Sequence, residues 1–144
     1  MDKKNKYNAV SECKSFNGVE IKFKSNLELS MAIQLENLVS RGIFYRWNYE
    51  PKVFKFNLTT KKRSYKPDFQ IFHDETHYFW IECKGYIDMV GIRSFEQFIE
   101  EYPDEAYKTF VAKTPFISEI LFLKEFLFQQ FMRKRTAKLR KNDN

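Results

Sequence analysis

The stretches Tyr65-Lys66-Pro67-Asp68-Phe69-Gln70-Ile71-Phe72 and Tyr78-Phe79-Trp80-Ile81-Glu82-Cys83-Lys84 decide the fold. Both are rich in aromatic and β-branched residues, which favour a pleated, half-buried surface. Pro67 has no backbone donor and belongs at a strand start or edge, so Asp68 opens the strand Phe69–Phe72. Residues 73–76 are polar and form the turn of a hairpin. Residues 78–81 are apolar on both faces, as in an interior strand. Alternate strand residues share a face, so Glu82 and Lys84 project together while Ile81 and Cys83 point the other way. Pairing across the hairpin then allows Asp68 to stand beside Glu82.

Outward from this hairpin, residues 45–49 and 53–58 are further strand candidates, broken by Pro51 and by residues 59–63. Toward the N-terminus, residues 10–16 and Val19–Phe23 flank Asn17-Gly18, a strong hairpin signal. Residues 1–9 form a basic lead-in. Ser25 begins a helix that runs to about Arg41 and stops at Gly42. At about 100° per residue, Leu27, Met31, Ala32, Leu35, Leu38 and Val39 share one face, and Glu28 falls within it. Toward the C-terminus, residues 92–101 carry Ile92, Phe95, Phe98 and Ile99 at helical spacing and end at Pro103-Asp104. Residues 107–112 read as a strand. Thr114-Pro115 has the chemistry of a cap and first turn for a long apolar helix over residues 116–133. Its apolar arc is wider than one core face requires, so it is either buried on two sides or part of a subunit interface. The run 134–144 is a basic tail, read as a solvated end or as a DNA-binding arm. The expected class is α/β (α+β): one domain over 1–144, with a mixed sheet, flanking helices, an N-terminal β-hairpin and a long C-terminal helix.

Two carboxylates at one spot raise each other's pKa unless a cation joins them, and a hard divalent metal, Mg²⁺ above all, is the natural one. Lys84 alongside supplies positive charge for a phosphate or an attacking hydroxide. Taken singly, Glu-x-Lys is an ordinary surface pair and Pro-Asp an ordinary turn signal; together, between aromatic strands, they point to a site. Glu28 has two readings of equal standing. Ser25-x-x-Glu28 matches a capping box, and a carboxylate on a core-facing stripe also fits a third metal-site acid.

The chain has 144 residues, with 25 Lys and Arg against 19 Asp and Glu, a formal charge of +6 and a pI of about 9.2. That excess attracts polyanions, nucleic acid first among them. Cys13 and Cys83 stand alone, without metal-site or disulfide spacing. No apolar stretch approaches a membrane span and no signal-peptide pattern opens the chain, so a soluble, cytoplasmic protein is expected. His73 and His77 lie in or beside a turn, where their spacing carries no zinc signal. Tyr45, Trp47 and Tyr49 alternate with polar residues as core strand positions do. Lys52, Lys55, Lys61, Lys62, Arg63 and Lys66 form a basic cluster near Asp68, either a solvated loop or a set of phosphate contacts.

Glu28 on the first helix, Pro67-Asp68 and Glu82-Cys83-Lys84 together resemble the PD-(D/E)xK nuclease superfamily, the restriction-endonuclease-like fold. Ser25-Asn26-Leu27-Glu28, Tyr65-Lys66-Pro67-Asp68-Phe69 and Ile81-Glu82-Cys83-Lys84-Gly85 are most similar to phage endonuclease I-type Holliday junction resolvases and related small phage nucleases. The resemblance covers about residues 16–113. It implies a Mg²⁺-dependent endodeoxyribonuclease, with Mn²⁺ able to substitute. Asp68, Glu82 and Glu28 would hold the metal, and Lys84 would assist the nucleophilic water. Glu50 is a further candidate acid. It also implies branched or duplex DNA as substrate and a homodimer, for which the C-terminal apolar helix offers a surface. The size and the Lys-, Asn- and Phe-rich composition are compatible with a phage protein acting in a bacterial cytoplasm. The competing expectations are a non-catalytic nucleic-acid-binding module and a nuclease subunit of a larger transposase- or restriction-like complex.

Overall fold

The computed structural model describes residues 12–57 and 64–142. Strands β1 (Glu12–Phe16) and β2 (Val19–Phe23) form the expected hairpin, with Phe16 paired to Val19. Asn17 and Gly18 both take positive φ, 49° and 80°, as a tight turn of matching twist requires. Helix α1 (Asn26–Ser40) follows, with Ser25 as N-cap accepting from the Glu28 N–H at 3.2 Å. Gly42 ends it at φ 75°, while Ile43 N–H bonds back to Leu38 O at 2.9 Å. Nothing lies within 4 Å of a Cβ added at Gly42, so only the backbone conformation resists a side chain. Gly42→Ala is therefore expected to lower stability by about 1–2 kcal/mol, read as a shift of the urea midpoint with an unchanged slope.

The body is a five-stranded mixed sheet made of β3 (Arg46–Tyr49), β6 (Phe69–Phe72), β7 (Tyr78–Cys83), β8 (Thr109–Ala112) and β9 (Leu121–Phe122) in that order. The segment between β3 and β6 holds β4 (Phe54–Lys55) and β5 (Ser64–Tyr65), which pair as a small separate ribbon. Strands β3, β6 and β7 are antiparallel neighbours, and β7 and β8 are parallel. The β7–β8 crossover carries α2 (Met89–Glu101) and the short α3 (Pro103–Tyr107). Parallel neighbours need such a crossover, and helices are its usual form.

Each sheet face has its own core. On one, Phe69, Ile71, Phe79 and Ile81 pack against Phe23 of the hairpin and Met31, Ala32 and Leu35 of α1. On the other, Trp80 and Val111 meet Phe95 and Phe98 of α2, Phe54 and Tyr65 of the ribbon, and Phe126 of α4 (Leu123–Asn142). Trp80 is wholly buried, and its indole N–H donates to Glu105 Oε2 at 2.7 Å. The two-sided burial read from residues 78–81 is thus what the strand experiences.

Four expectations need correction. Helix α4 does not begin at residue 116. Thr114 Oγ accepts from Phe116 N–H at 3.3 Å, a 3₁₀ turn covers Ile117–Glu119, and Leu121–Phe122 pairs with β8. A run of Phe, Ile and Leu fits a strand as readily as a buried helix, and an open sheet edge decided between them. The helix that follows is mostly polar and basic, and the supposed basic tail is helical through Asn142. Of the expected 53–58 strand, Phe54–Lys55 forms among the described residues, and residue 58 lies outside them. Helix α2 starts three residues earlier than expected because Asp88 caps it, accepting from Gly91 N–H at 2.8 Å. No helix is long and apolar enough to cross a membrane among the described residues.

Candidate metal and active site

Backbone register brings the acids together. In β6 and β7, Phe69 faces Ile81, so the next step outward sets Asp68 opposite Glu82. In β3 and β6, Tyr49 faces Phe69, and the Glu50 N–H donates to Asp68 O at 2.8 Å. Glu50, Asp68 and Glu82 therefore form one row across three adjacent strands, at the end where β6 begins and β3 and β7 finish. Cross-strand neighbours in such a row are only about 4.5–5.5 Å apart at Cβ. The first turn of α1 lies over this end and adds Glu28.

Glu28, Asp68 and Glu82 are buried, each no more than 6% exposed. One ligand oxygen from each of Glu28, Glu50 and Asp68 lies within 4.8 Å of the other two, so the trio can hold a metal ion. Glu50 belongs to this set more closely than the sequence implied. Glu82 stands beside the trio rather than within it. Its Oε2 accepts from the Tyr65 hydroxyl at 2.9 Å, and its Oε1 is 4.0 Å from Lys84 Nζ.

Each carboxylate is fixed by its own partners. Glu28 Oε1 accepts from Tyr49 OH at 2.9 Å and Oε2 from Ser25 Oγ at 3.1 Å. The cap and the inward-facing acid are thus both realised, since Ser25 serves the Glu28 N–H and carboxylate alike. Asp68 Oδ2 accepts from Cys83 N–H at 2.8 Å. Glu50 is held by Lys24 at 2.5 Å and Lys66 at 2.9 Å. Its Oε1 is buried and meets the Lys24 ammonium in a charge-assisted contact. Glu50 also sits at φ 47°, a conformation that costs a non-glycine residue energy.

The electrostatics follow from burial and crowding. Burial, then the charges of Glu82 and Glu28, raise the Asp68 pKa well above the usual carboxylate range. Burial pushes Glu82 up to about 7, although Lys84 and the Tyr65 bond pull it down. Glu50 is partly buried, which works against its charge, yet Lys24 and Lys66 hold it below the ordinary value. Burial and Glu28 keep the Tyr49 hydroxyl protonated, as burial and Glu82 do for Tyr65, so both stay donors.

Of the proposed DNA-contacting cations, Lys66 is engaged with Glu50, Lys52 Nζ lies 4.9 Å above the Phe54 ring, and Lys55 is exposed. Lys61, Lys62 and Arg63 lie outside the described residues. His77 pairs with Asp74 at 2.9 Å and His73 packs on Phe79, so neither approaches the acids. Trp47 and Tyr49 join the core, while Tyr45 is exposed. Sequence reasoning missed Lys24, Tyr49 and Tyr65. Tyr65 and Lys66 alternate just before Pro67-Asp68, a pattern that could have drawn attention to a buried tyrosine beside the site.

The converging groups are hard carboxylate oxygens, a set that could hold a hard metal ion. Models of known protein families, curated proteins and solved structures were compared with this chain, and none matches it.

Proposed function

We propose that this chain is a Mg²⁺-dependent endodeoxyribonuclease of restriction-endonuclease-like architecture, hydrolysing phosphodiester bonds with selectivity for branched DNA. The observation that carries the reading is the meeting of Glu28, Glu50 and Asp68 within 4.8 Å, next to Glu82 and Lys84 on the central strand. The strand order, with antiparallel β3, β6 and β7 followed by a helical crossover to a parallel β8, supports the same reading.

Glu28, Glu50 and Asp68 would hold the cation. A bound divalent ion supplies Lewis-acid activation of water and charge for the attacking and leaving oxygens. Lys84, with a third of its side chain exposed, presents an ammonium group to a phosphate entering from solvent. Glu82, with a pKa near neutrality, is placed to exchange a proton with water at that spot. Tyr65 orients Glu82 from behind. Tyr65→Phe is expected to slow cleavage about 10-fold and, by removing a bond that favours the charged carboxylate, to move the acid limb of the pH–rate profile to higher pH. An unchanged limb would separate Tyr65 from the chemistry.

Resolution of a four-way junction needs two cuts and hence two active sites, and the exposed Phe128, Phe131 and Met132 of α4 offer apolar surface for a second copy. The substrate class is tested with a labelled four-way junction and its matching linear duplex in Mg²⁺. Paired cuts in the junction alone support the resolvase; equal cutting of both supports a nuclease without junction selectivity.

One observation favours a non-catalytic DNA-binding reading: Lys24 and Lys66 already offset the charge of Glu50 without a metal. Such a protein would hold DNA equally in EDTA and Mg²⁺ and never nick it.

A further inference from the structure

The final three turns of α4 belong to neither core. Every residue from Phe131 to Asn142 is exposed, and after Glu125 the helix contains no acidic residue. Six cations fall in this stretch: Arg133, Lys134, Arg135, Lys138, Arg140 and Lys141. At about 100° per residue, all but Arg135 lie within one arc of about 160°. Phe128, Met132 and Leu139 occupy the opposite side, with Arg135 among them.

This basic face is joined to the acidic site. The Lys84 N–H donates to Ala112 O at 2.9 Å, so the end of β7 lies against the end of β8. Lys113 follows directly, its ammonium 5.2 Å above the Phe126 ring of α4. Arg133 follows Phe126 by seven residues, about two turns, and so lies on the same side of α4 as that ring. Lys134 Nζ touches Met89 Sδ at the start of α2. Positive charge thus runs from Lys84 through Lys113 to Arg133 and out along the helix.

We infer that α4 is a nucleic-acid-docking helix, whose basic face lies along the phosphates of a duplex and leads that duplex to the acidic site. Residues 133–142 span roughly 15 Å, which matches about four successive phosphates of one strand at 3.4 Å of axis each. A helix lying in an anionic membrane surface would sink a broad apolar face into the lipid. Here the face opposite the cations is narrow and contains Arg135, which favours the duplex over the bilayer. The inference rests on the nuclease reading only for what happens to the bound duplex, not for the binding itself.

The test is binding of a short labelled duplex in EDTA across a salt series, with wild type beside a variant combining Arg133→Gln, Lys134→Gln, Lys138→Gln, Arg140→Gln and Lys141→Gln. Glutamine is a good helix former, and circular dichroism checks that α4 persists. A second variant changes only Lys138, Arg140 and Lys141, which lie beyond the contact with Met89. The full variant should flatten the slope of log affinity against log salt by about 3–4, and the shorter one by about 2–3, at about 0.9 per lost phosphate contact. Affinity in low salt should fall on the order of 100-fold for the full variant. Unchanged slopes and affinities in both folded variants would overturn the inference. So would wild-type binding to phosphatidylserine vesicles that the variants lose while keeping duplex binding intact. If wild type binds with a steep, α4-dependent slope but never cleaves, the helix assignment stands and the nuclease fails. If the variants bind and cleave like wild type, the nuclease stands and the helix assignment fails.

Discussion

Asp68→Ala is expected to remove Mg²⁺-dependent cleavage almost completely, with a rate loss on the order of 10³-fold, about 4 kcal/mol of transition-state stabilisation. Asp68 is the middle member of the carboxylate row, bonded through its backbone to Glu50 and through Oδ2 to Cys83 N–H. Its oxygen is one of the three that converge, so its loss leaves two acids too few in charge to hold a hard cation in place. The fold should survive. A buried, crowded carboxylate with a raised pKa opposes folding at neutral pH, and its removal also takes away the repulsion from Glu82 and Glu28. The expected signature is therefore a protein that melts no lower than wild type in EDTA and does not cut. A variant that keeps more than about a tenth of the wild-type rate would remove Asp68 from the chemistry. Glu50→Gln should behave similarly, because Glu50 completes the trio.

Mg²⁺ should raise the melting temperature, and the increase should grow as pH rises from about 5 to 8. Burial pushes Glu82 to about 7, and burial together with Glu82 and Glu28 raises Asp68 well above the usual range. In the unfolded chain the same groups titrate near 4. Their folded pKa values are raised, so the stability they contribute to the metal-free protein is fully present below about pH 4. For Glu82 it is lost as pH climbs through about 7, and for Asp68 as pH climbs through its own raised value. Ligation needs Asp68 deprotonated, and a charged Glu82 alongside adds to the field, so affinity for the ion increases with pH. With free Mg²⁺ at about 100 times its dissociation constant, the gain is about 2.7 kcal/mol, or about 5–10 °C for a chain of this size. Differential scanning fluorimetry in EDTA and in Mg²⁺, at a series of pH values, reads both trends. An increase that shrinks toward alkaline pH, or none at pH 8, would contradict a carboxylate-held cation.

How far the sequence reached depended on how local the signal was. Asn17-Gly18, Ser25 and Gly42 demand particular backbone conformations, so the first hairpin and α1 appear where their turn and cap residues place them. The strands Phe69–Phe72 and Tyr78–Cys83 and the register that sets Asp68 beside Glu82 follow from Pro67 and the period-two pattern. Glu50 stood only as an outlying acid, because its place in the trio depends on β3 pairing with β6. Lys24 was not legible for the same reason, as it reaches Glu50 through a contact distant in sequence. The region 116–122 misled because its apolar residues lack a period that separates strand from helix, and the edge of β8 settled the matter. In α4, composition revealed the charge, and only the structure revealed that the charge is helical, exposed and close to Lys113.

The most direct test of metal-dependent strand cleavage at these acids is nicking of supercoiled circular DNA. Wild type and Asp68→Ala, purified identically, are each assayed with Mg²⁺ and with EDTA. Conversion to nicked or linear circles by wild type in Mg²⁺ alone, with Asp68→Ala inactive but folded, is the expected result. Equal conversion by both proteins would move the chemistry away from Asp68, and no conversion by wild type together with undiminished DNA binding in EDTA would replace the nuclease with a binding protein.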